Sequence, residues 1–207
     1  ISGKPFLHYQ LNWLIDQGVT NVTIAAYHLA EQIEQFLSDW NDNRVKIRCV
    51  REPKPLGTGG AIKNVIRENS LSGSFIVLNG DTFFRFSLSS AYKTYNRYGG
   101  KALIVAVRKD NISRYGELVI EGKRITKFSH SPRENRPGFA NMGAYLLDTM
   151  HFSDQSVEIF SLEQEFFPDL ATKGELVAHI VSGREGFYDI GTIDAFDKIN
   201  LNDEFIV

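Results

Sequence analysis

A repeating order of helical and strand-like segments constrains the fold of this chain more than any other feature of its sequence. From residue 4 to residue 107, amphipathic helical patterns alternate with short apolar runs. The predicted helices cover residues 4–17, 29–40, 61–67 and 88–98, and the predicted strands cover residues 19–26, 45–50, 74–78 and 102–107. Strict alternation of this kind requires right-handed crossovers and a mostly parallel sheet, which is the α/β class.

The second half of the chain has a different rhythm. The pattern predicts a hairpin, a longer strand, a helix, two short strands and a closing helix, at residues 115–128, 139–147, 161–172, 176–181, 186–190 and 193–201. We therefore expect one domain over residues 1–207, with an α/β half over 1–108 and a β-rich half over 109–207.

Composition excludes several classes of function. The 207 residues include 23 basic and 25 acidic side chains, so no basic excess is available to bind a nucleic-acid backbone. No apolar run approaches the roughly 20 residues that a membrane-spanning helix needs. The one cysteine, Cys49, cannot form an internal disulfide, which favours a reducing, cytoplasmic location. We expect no nucleic-acid or membrane partner; a homodimer is compatible with this composition.

A glycine-rich segment, residues 52–63, follows the strand predicted over 45–50. Two prolines stiffen its entry, and Gly57, Gly59 and Gly60 then precede a helix predicted from Ala61. Free N–H groups and the macrodipole at such a helix start favour an anion, so a phosphate or nucleotide loop is one interpretation. An ordinary strand-to-helix turn is the other, because the spacing matches neither the dinucleotide fingerprint nor the phosphate loop.

Two aspartates follow apolar strands. Asp81 comes after Ile76-Val77-Leu78 and next to Gly80, and Asp189 comes after Phe187-Tyr188. Ligands of open α/β sheets bind at the carboxyl ends of strands, and carboxylates there are natural Mg²⁺ ligands. The alternatives are a turn aspartate at residue 81 and a helix-capping segment at residue 189. The two side chains form one metal site only if the fold brings them together.

Softer signals lie in the second half. Gly116 could admit a ligand or start a strand, and Asn141 could bind a sugar hydroxyl or bridge backbone groups within the sheet. His130, in the loop after the hairpin, is the histidine that we consider a site candidate. No cysteine–histidine pairing or nucleophile elbow is present.

Six segments together resemble the sugar-phosphate nucleotidyltransferase family, the nucleotide-diphospho-sugar pyrophosphorylases. They occur in the family's order at residues 3–7 (GKPFL), 52–61 (EPKPLGTGGA), 78–82 (LNGDT), 115–116 (YG), 141–145 (NMGAY) and 188–192 (YDIGT). The LGTGGA form is most like guanylyltransferases for D-glycero-α-D-manno-heptose 1-phosphate. It is also similar to mannose-1-phosphate guanylyltransferases and to N-acetylmuramate-1-phosphate uridylyltransferases.

The resemblance implies a Rossmann-like three-layer sandwich with a mixed, mostly parallel sheet and a β-rich sugar-binding portion. It implies a Mg²⁺-dependent transfer of a nucleotidyl group from a nucleoside triphosphate to a sugar 1-phosphate, for polysaccharide synthesis. Asp81 and Asp189 would be the catalytic, metal-binding pair. The nucleotide would lie on Glu52, Leu56, Gly57, Thr58, Gly59, Gly60 and Gly80, and the sugar phosphate on Gly116, His130, Asn141 and Gly143.

Glu52 favours GTP if it reaches the base. A carboxylate only accepts hydrogen bonds, and the pairing edge of guanine offers two adjacent donors. Uracil offers one donor between two acceptors, so UTP is the alternative.

The sequence differs from the family in two places. The chain starts at Ile1 without a methionine, and the family's first strand and glycine-rich loop are not among its residues. We expect either that this N-terminal piece has been lost or that the protein is a non-catalytic binding subunit. Many relatives carry Glu-Lys-Pro where this chain has His130-Ser131-Pro132. Sugar-phosphate binding must therefore either differ here or use another basic residue, such as Arg133 or Arg136.

Overall fold

The computed structural model describes residue 1 and residues 3–129, 135–153, 156–182, 187–193 and 196–197. The helices are α1 (Phe6–Asp16), α2 (Ala30–Ser38), α3 (Gly57–Asn69), α4 (Leu88–Tyr98), α5 (Met150–Ser153), the π-helix π1 (Leu162–Phe166) and α6 (Phe167–Thr172). The strands are β1 (Asn21–Ala26), β2 (Lys46–Arg51), β3 (Ser74–Leu78), β4 (Thr82–Phe84), β5 (Ala102–Lys109), β6 (Glu117–Glu121), β7 (Arg124–Ser129), β8 (Gly138–Asp148), β9 (Leu176–Val181) and β10 (Phe187–Asp189).

The central sheet has the order β3-β8-β5-β9-β7-β6. In it β3, β5, β6 and β9 run in one direction, and β7 and β8 run in the other. Two smaller sheets pair β1 with β2 in parallel and β4 with β10 in antiparallel orientation. The α/β class with a mixed sheet is therefore confirmed, and the sheet is mostly parallel in that four of its six strands run in one direction. Among the described residues, β5 and β9 are the one pair of neighbours in it that is hydrogen-bonded in parallel.

Side chains from β5 enter two separate cores because successive residues of a strand point to opposite faces. Leu103, Val105 and Val107 pack with residues of α1, β4 and α4. Ala102, Ile104 and Ala106 pack on the other face with the β6–β7 hairpin, π1 and α6, where Ile62 and Ile66 of α3 join them. Helices thus cover both faces of the sheet, as the predicted three-layer sandwich requires.

The predicted halves share the central sheet. Strand β5, from the first half, pairs with both β8 and β9 from the second. The division into a nucleotide-binding and a sugar-binding half stays a prediction.

Several boundaries differ from the sequence prediction. Helix α3 begins at Gly57 rather than Ala61, so the glycines form its first turn instead of a preceding loop. The helix predicted over 161–172 is divided into π1 and α6, with Pro168 in the first turn of α6. Strand β4 was not predicted, because three residues are too few to show a period. The predicted closing helix lies mostly outside the described residues.

Within the described part of the chain, no helix is both long enough and apolar enough to cross a membrane.

Candidate nucleotide and sugar-phosphate site

The short β4–β10 ladder brings Asp81 and Asp189 together. Asp189 pairs with Thr82 in this ladder, and the N–H of Ile190 donates to the carbonyl oxygen of Asp81 at 2.9 Å. A Cβ built on Gly191 would lie 3.0 Å from Oδ1 of Asp189 and 3.5 Å from Oδ2 of Asp81, so both carboxylates border one small space. The proximity that one metal site requires is therefore present.

The charges in this space act on one another. Partial burial, and after it the negative charge of Asp189, raise the pKa of the Asp81 carboxyl above its usual value; the charge of Glu163 acts in the same direction. Two carboxylates held close without a counter-ion repel each other. A cation between them would relieve this repulsion.

The donor set fits a magnesium ion that takes its other ligands from phosphates and water. Among the described residues, no three or more His, Cys, Asp or Glu side chains are grouped to hold a metal. Mg²⁺ commonly uses only one or two carboxylates and takes phosphate oxygens and water as further ligands. The Thr82 hydroxyl oxygen, next to Asp81 in the chain, is buried with no hydrogen-bond partner in the described structure, so a polar atom is available beside the pair.

A bulge in β8 lies beside the aspartates. Ile104 of β5 pairs with Tyr145 of β8, and Ala106 of β5 pairs with Asn141 of β8. Over this step β5 advances by two residues and β8 advances by four. Gly143 sits in this bulge with a φ of 69°, a left-handed angle that favours glycine. A Cβ on Gly143 would lie 2.8 Å from Oγ1 of Thr82, so the bulge closely approaches the residue after Asp81. Bulges are common next to active sites, where they redirect side chains.

Hydrogen bonds hold the end of β3 against this bulge. The N–H of Asn79 donates to the carbonyl oxygen of Gly143 at 2.8 Å. The buried Gln10 of α1 donates from Nε2 to the carbonyl oxygens of Asn79 and Thr82, each at 2.8 Å. Gln10 thereby fixes the turn that carries Asp81 from both sides.

A polar chain leads from the bulge to the start of α3. Asn141 accepts from the N–H of Gly143 at 3.0 Å and donates to the Tyr145 hydroxyl at 2.9 Å. Tyr145 donates to Oε1 of Glu163 at 3.1 Å, and the Thr58 hydroxyl donates to Oε2 of Glu163 at 2.7 Å. Burial, and after it the charge of Glu163, raise the pKa of Tyr145 well above its usual value, so its hydroxyl stays a donor.

Glu163 was not predicted as a site residue. It lies in π1, and single-turn π-helices occur frequently at functional sites. The helical pattern over 161–172 shows Glu163 only as a polar residue, because its partners Thr58 and Tyr145 are distant in sequence. No local signal could have identified it.

The glycines at the start of α3 contact protein backbone. The N–H groups of Gly59 and Gly60 donate to the carbonyl oxygen of Phe160 at 3.0 and 3.3 Å, so the expectation of free N–H groups at this helix start is wrong for these two residues. A Cβ on Gly59 would overlap the Phe160 ring, and one on Gly57 would lie 2.6 Å from the Phe160 carbonyl oxygen. Leu56 is buried. These glycines let residues 157–162 pack closely; a nucleotide contact stays a prediction.

Glu52 is half-buried at the end of β2. Its N–H donates to the carbonyl oxygen of Ala26 at 2.8 Å, and its Oε2 accepts from the N–H of Leu56 at 3.1 Å. These bonds fix the carboxylate near the ends of β1 and β2. Gly80 is exposed, with open space where a Cβ would point.

The predicted sugar residues come together in part. The N–H of Asn141 donates to the carbonyl oxygen of Gly116 at 2.8 Å, which joins Gly116 to the bulge that contains Gly143. The oxygen and the nitrogen of the Asn141 amide are both hydrogen-bonded inside the bulge, so this side chain bridges groups within the sheet. That bridging is the alternative to sugar binding that the sequence left open, and a sugar contact stays a prediction. His130 lies outside the described residues, and so does Arg133.

Arg136 is committed to an ion pair. Its Nη1 lies 2.6 Å from Oε1 of Glu117, and its Nη2 donates to Oε2 of the same carboxylate at 2.9 Å. This bidentate arrangement satisfies the fork of the guanidinium. Arg136 is therefore poorly suited to the phosphate role that the sequence suggested for it.

A known protein family matches this chain over nearly its whole length. The family model described as nucleotidyl transferase matches residues 1–204. The chain belongs to the nucleotidyl transferase family. Because the match covers nearly the whole sequence, the six segments noted in the sequence are parts of one family pattern, and the resemblance is confirmed.

Individual members of the nucleotidyl transferase family are similar over most of this chain. It is 31% identical over 188 residues to a probable mannose-1-phosphate guanylyltransferase 2 of Oryza sativa subsp. japonica, covering 88% of this chain and 52% of that protein. It is 28% identical over 199 residues to a D-glycero-alpha-D-manno-heptose 1-phosphate guanylyltransferase of Aneurinibacillus thermoaerophilus. That match covers 96% of this chain and 84% of that protein.

The fold is that of a solved member. The crystal structure of HddC from Yersinia pseudotuberculosis superposes with a TM-score of 0.83 at 31% identity, covering 96% of this chain and 85% of that one. A second structure of the same protein, complexed with GMP-PN, gives a TM-score of 0.82. The chain spans about half the length of the mannose-type relative, at 52%.

Proposed function

We propose that this protein transfers a guanylyl group from GTP to a sugar 1-phosphate, giving a GDP-sugar and pyrophosphate. The observation that carries the proposal is the meeting of Asp81 and Asp189 at the β4–β10 ladder, beside the bulge of β8. Similarity to guanylyltransferases, and to a protein solved with GMP-PN, supports the choice of nucleotide.

The reaction needs orientation and charge neutralisation more than covalent catalysis. A phosphate oxygen of the sugar 1-phosphate attacks the α-phosphorus of GTP, and a new P–O bond forms. The bond from the α-phosphorus to the oxygen that bridges to the β-phosphorus breaks, and its electron pair leaves with pyrophosphate. The protein must hold the two anions in line while repulsion between them is offset.

Mg²⁺ is the cofactor that the site chemistry fits best, held by Asp81 and Asp189. When bound, it would supply positive charge to the phosphates and relieve the repulsion between the two carboxylates. The role of the chain itself is to fix these carboxylates, which Gln10 does through the backbone on both sides of Asp81.

The base preference for GTP rests on Glu52. One bond to the Leu56 N–H orients its carboxylate, which has about four lone-pair sites in all. The remaining sites suit the two adjacent donors of guanine. UTP offers one such donor and is the alternative nucleotide.

The acceptor in this proposal is a heptose or mannose type of sugar 1-phosphate. Both types occur among the guanylyltransferases similar to this chain. The Asn141–Tyr145 bulge, with Gly116 beside it, is the surface on which we expect the sugar to lie.

Pyrophosphate release tests the proposal. The protein is assayed with GTP or UTP in the presence of Mg²⁺. Each nucleotide is tested with mannose 1-phosphate, with D-glycero-α-D-manno-heptose 1-phosphate and with N-acetylmuramate 1-phosphate, the sugar of the uridylyltransferase alternative. Turnover with GTP and one of these sugars supports it. Faster turnover with UTP would assign the uridylyltransferase alternative, and nucleotide-sugar binding without turnover would assign a binding subunit. A role in polysaccharide synthesis, a cytoplasmic location and a homodimer stay predictions.

A further inference from the structure

The carboxylate of Glu163 is held in place by hydroxyl groups. Its Oε2 accepts from the hydroxyls of Thr58 and Ser161 at 2.7 and 3.1 Å. Thr58 is itself fixed, because its hydroxyl oxygen accepts from the N–H of Leu162 at 2.8 Å. The other carboxylate oxygen, Oε1, accepts from the Tyr145 hydroxyl at 3.1 Å. Glu163 therefore offers a fixed acceptor to Tyr145.

From Glu163 the hydrogen bonds run in a single direction into the bulge of β8. An ionised carboxylate only accepts, so Tyr145 donates to it and accepts from Nδ2 of Asn141 at 2.9 Å. Oδ1 of Asn141 is left for the N–H of Gly143 at 3.0 Å, a group that only donates. Because both ends of the chain are fixed in this way, the Asn141 amide has one orientation.

Water cannot replace the middle of this chain. Tyr145 is fully buried, with 0% of its surface exposed. A buried polar group that loses its partner pays the full cost of its removal from water. Loss of the acceptor at Glu163 is therefore transmitted to Tyr145 and Asn141 instead of being absorbed by solvent.

The end of the chain borders the proposed site. The carbonyl oxygen of Gly143 accepts from the N–H of Asn79, and a Cβ on Gly143 would lie 2.8 Å from Oγ1 of Thr82. The N–H of Asn141 donates to the carbonyl oxygen of Gly116 at 2.8 Å. The bulge thus contacts the turn that carries Asp81 and the surface on which we expect the sugar.

Glu163 also lies within electrostatic reach of Asp81. Partial burial, and after it the charges of Asp189 and Glu163, raise the pKa of the Asp81 carboxyl. Among the residues that the structure describes, no group of three or more His, Cys, Asp or Glu side chains could hold a metal, so Glu163 does not join the aspartates as a third ligand. Its printed bonds lead to hydroxyl groups, which points to an indirect role.

We propose that Glu163 is a positioning residue for the sugar 1-phosphate: through Tyr145 and Asn141 it holds the β8 bulge in the form that receives the sugar. This inference rests on the proposed function, because the sugar surface is that of the proposed reaction. It gives Glu163 no contact with substrate. Its loss should affect the use of the sugar 1-phosphate more than the use of GTP.

The test compares Tyr145→Phe, Glu163→Met and the double variant with Glu158→Met. Phenylalanine keeps the buried ring and removes the hydroxyl that joins Glu163 to Asn141. Methionine at residue 163 keeps an unbranched side chain of similar length and removes both accepting oxygens. Glu158, whose side chain is 65% exposed, controls for loss of one negative charge shortly before π1.

Kinetics and binding are measured on each protein. KM and kcat come from pyrophosphate release with Mg²⁺, GTP and the sugar 1-phosphate that the parent protein turns over best. Binding of GTP and of the three sugar 1-phosphates named above is measured by calorimetry. Melting temperatures check that each variant is folded at the assay temperature.

We expect Tyr145→Phe and Glu163→Met each to lower kcat/KM for the sugar 1-phosphate about ten- to a hundredfold, because a displacement of about 1 Å in an oriented site costs on that order. The KM for GTP should change little in Tyr145→Phe. Since the two residues act through one chain, the double variant should lose no more than the more affected single variant. Glu158→Met should behave as the parent protein.

Three results would overturn the inference and leave the proposed function standing. A parental kcat/KM for the sugar 1-phosphate in Tyr145→Phe would do so even if Glu163→Met is impaired, since Glu163 would then act by its charge alone. Equal rises in KM for GTP and for the sugar 1-phosphate would also do so. Losses that multiply in the double variant would show that the two residues act independently.

Failure of the proposed function has a different outcome. If the parent protein binds a sugar 1-phosphate without releasing pyrophosphate, the proposed function fails, and the calorimetric affinities of the variants alone decide the role of Glu163. If the parent protein binds none of the three sugar 1-phosphates, both fail.

Discussion

Asp189 pairs with Thr82 across the β4–β10 ladder, and this pairing puts its carboxylate beside that of Asp81. The ladder has three residues on each side and lies outside the central sheet. It is held to the core by Phe83 and Phe84, both buried. A very short element thus determines whether two distant aspartates can act together.

Removing either carboxylate should abolish the reaction. We expect Asp81→Asn and Asp189→Asn each to lower kcat at least about a hundredfold, because each removes charge that would hold the metal. In the parent protein Mg²⁺ should raise the melting temperature, and this rise should be absent from both variants. Asp39→Asn, at an exposed position of the α2 C-terminus, is the control. Near-parental rates in either site variant would refute the assignment.

The bulge in β8 should tolerate no side chain at residue 143. In Gly143→Ala, the alanine would have to adopt a left-handed φ of 69°, and its Cβ would lie 2.8 Å from Oγ1 of Thr82. In Gly122→Ala, the alanine would adopt a similar φ of 63°, but no neighbouring atom would lie within 4 Å of its Cβ. We expect Gly122→Ala to lower the free energy of unfolding by about 1 kcal/mol and Gly143→Ala by about 2–4 kcal/mol. Equal losses in urea unfolding would show that the close approach to Thr82 is unimportant.

Glu163 should stabilise the fold through its three hydroxyl partners. The hydroxyls of Thr58, Ser161 and Tyr145 all donate to its carboxylate. Glutamine replaces one acceptor oxygen with a donor, so at least one of these hydroxyls loses its bond. We expect Glu163→Gln to cost about 1–3 kcal/mol of unfolding free energy. Glu158→Gln, at a side chain that is 65% exposed and 3.9 Å from Arg67, should cost almost nothing; similar losses in both variants would contradict this.

His179 should make stability depend on pH below neutrality. It is buried on β9, and its Nδ1 lies 2.9 Å from the Thr94 hydroxyl. Burial, and after it the positive charge of Lys123, lower the pKa of His179 below 6.5. As pH falls, the unfolded chain therefore binds a proton at a higher pH than the folded protein does. The contribution of neutral His179 to the free energy of unfolding is complete above pH 6.5 and is lost as pH falls below that value.

A glutamine substitution isolates this effect. His179→Gln stays neutral at every pH, so its unfolding free energy should fall less than that of the parent protein between pH 7.5 and 5.5. The difference should grow as pH falls through the range in which the unfolded chain is protonated and the buried imidazole stays neutral. His28→Gln, at an exposed position, should retain the parental pH dependence. Parallel curves for parent and His179→Gln would contradict the argument.

The glycine-rich segment shows where sequence reasoning reached its limit. Its glycines, its proximity to a helix and its order among the other motifs were all visible in the sequence. What the glycines contact was not, because Phe160 is about one hundred residues away and carries no motif. A glycine that admits a ligand and a glycine that admits another part of the backbone have the same signature in the chain.

The sequence by itself determined the α/β class, most helices and strands, and the two strand-end aspartates. These are local properties, since periodicity, caps and strand-end residues depend on a few neighbours in the chain. Only the tertiary structure decided that Asp81 meets Asp189, that Glu163 joins Thr58 to Tyr145, and that Arg136 is held by Glu117. Contacts between residues far apart in sequence arise from the pairing of strands and the packing of layers, which no local pattern records.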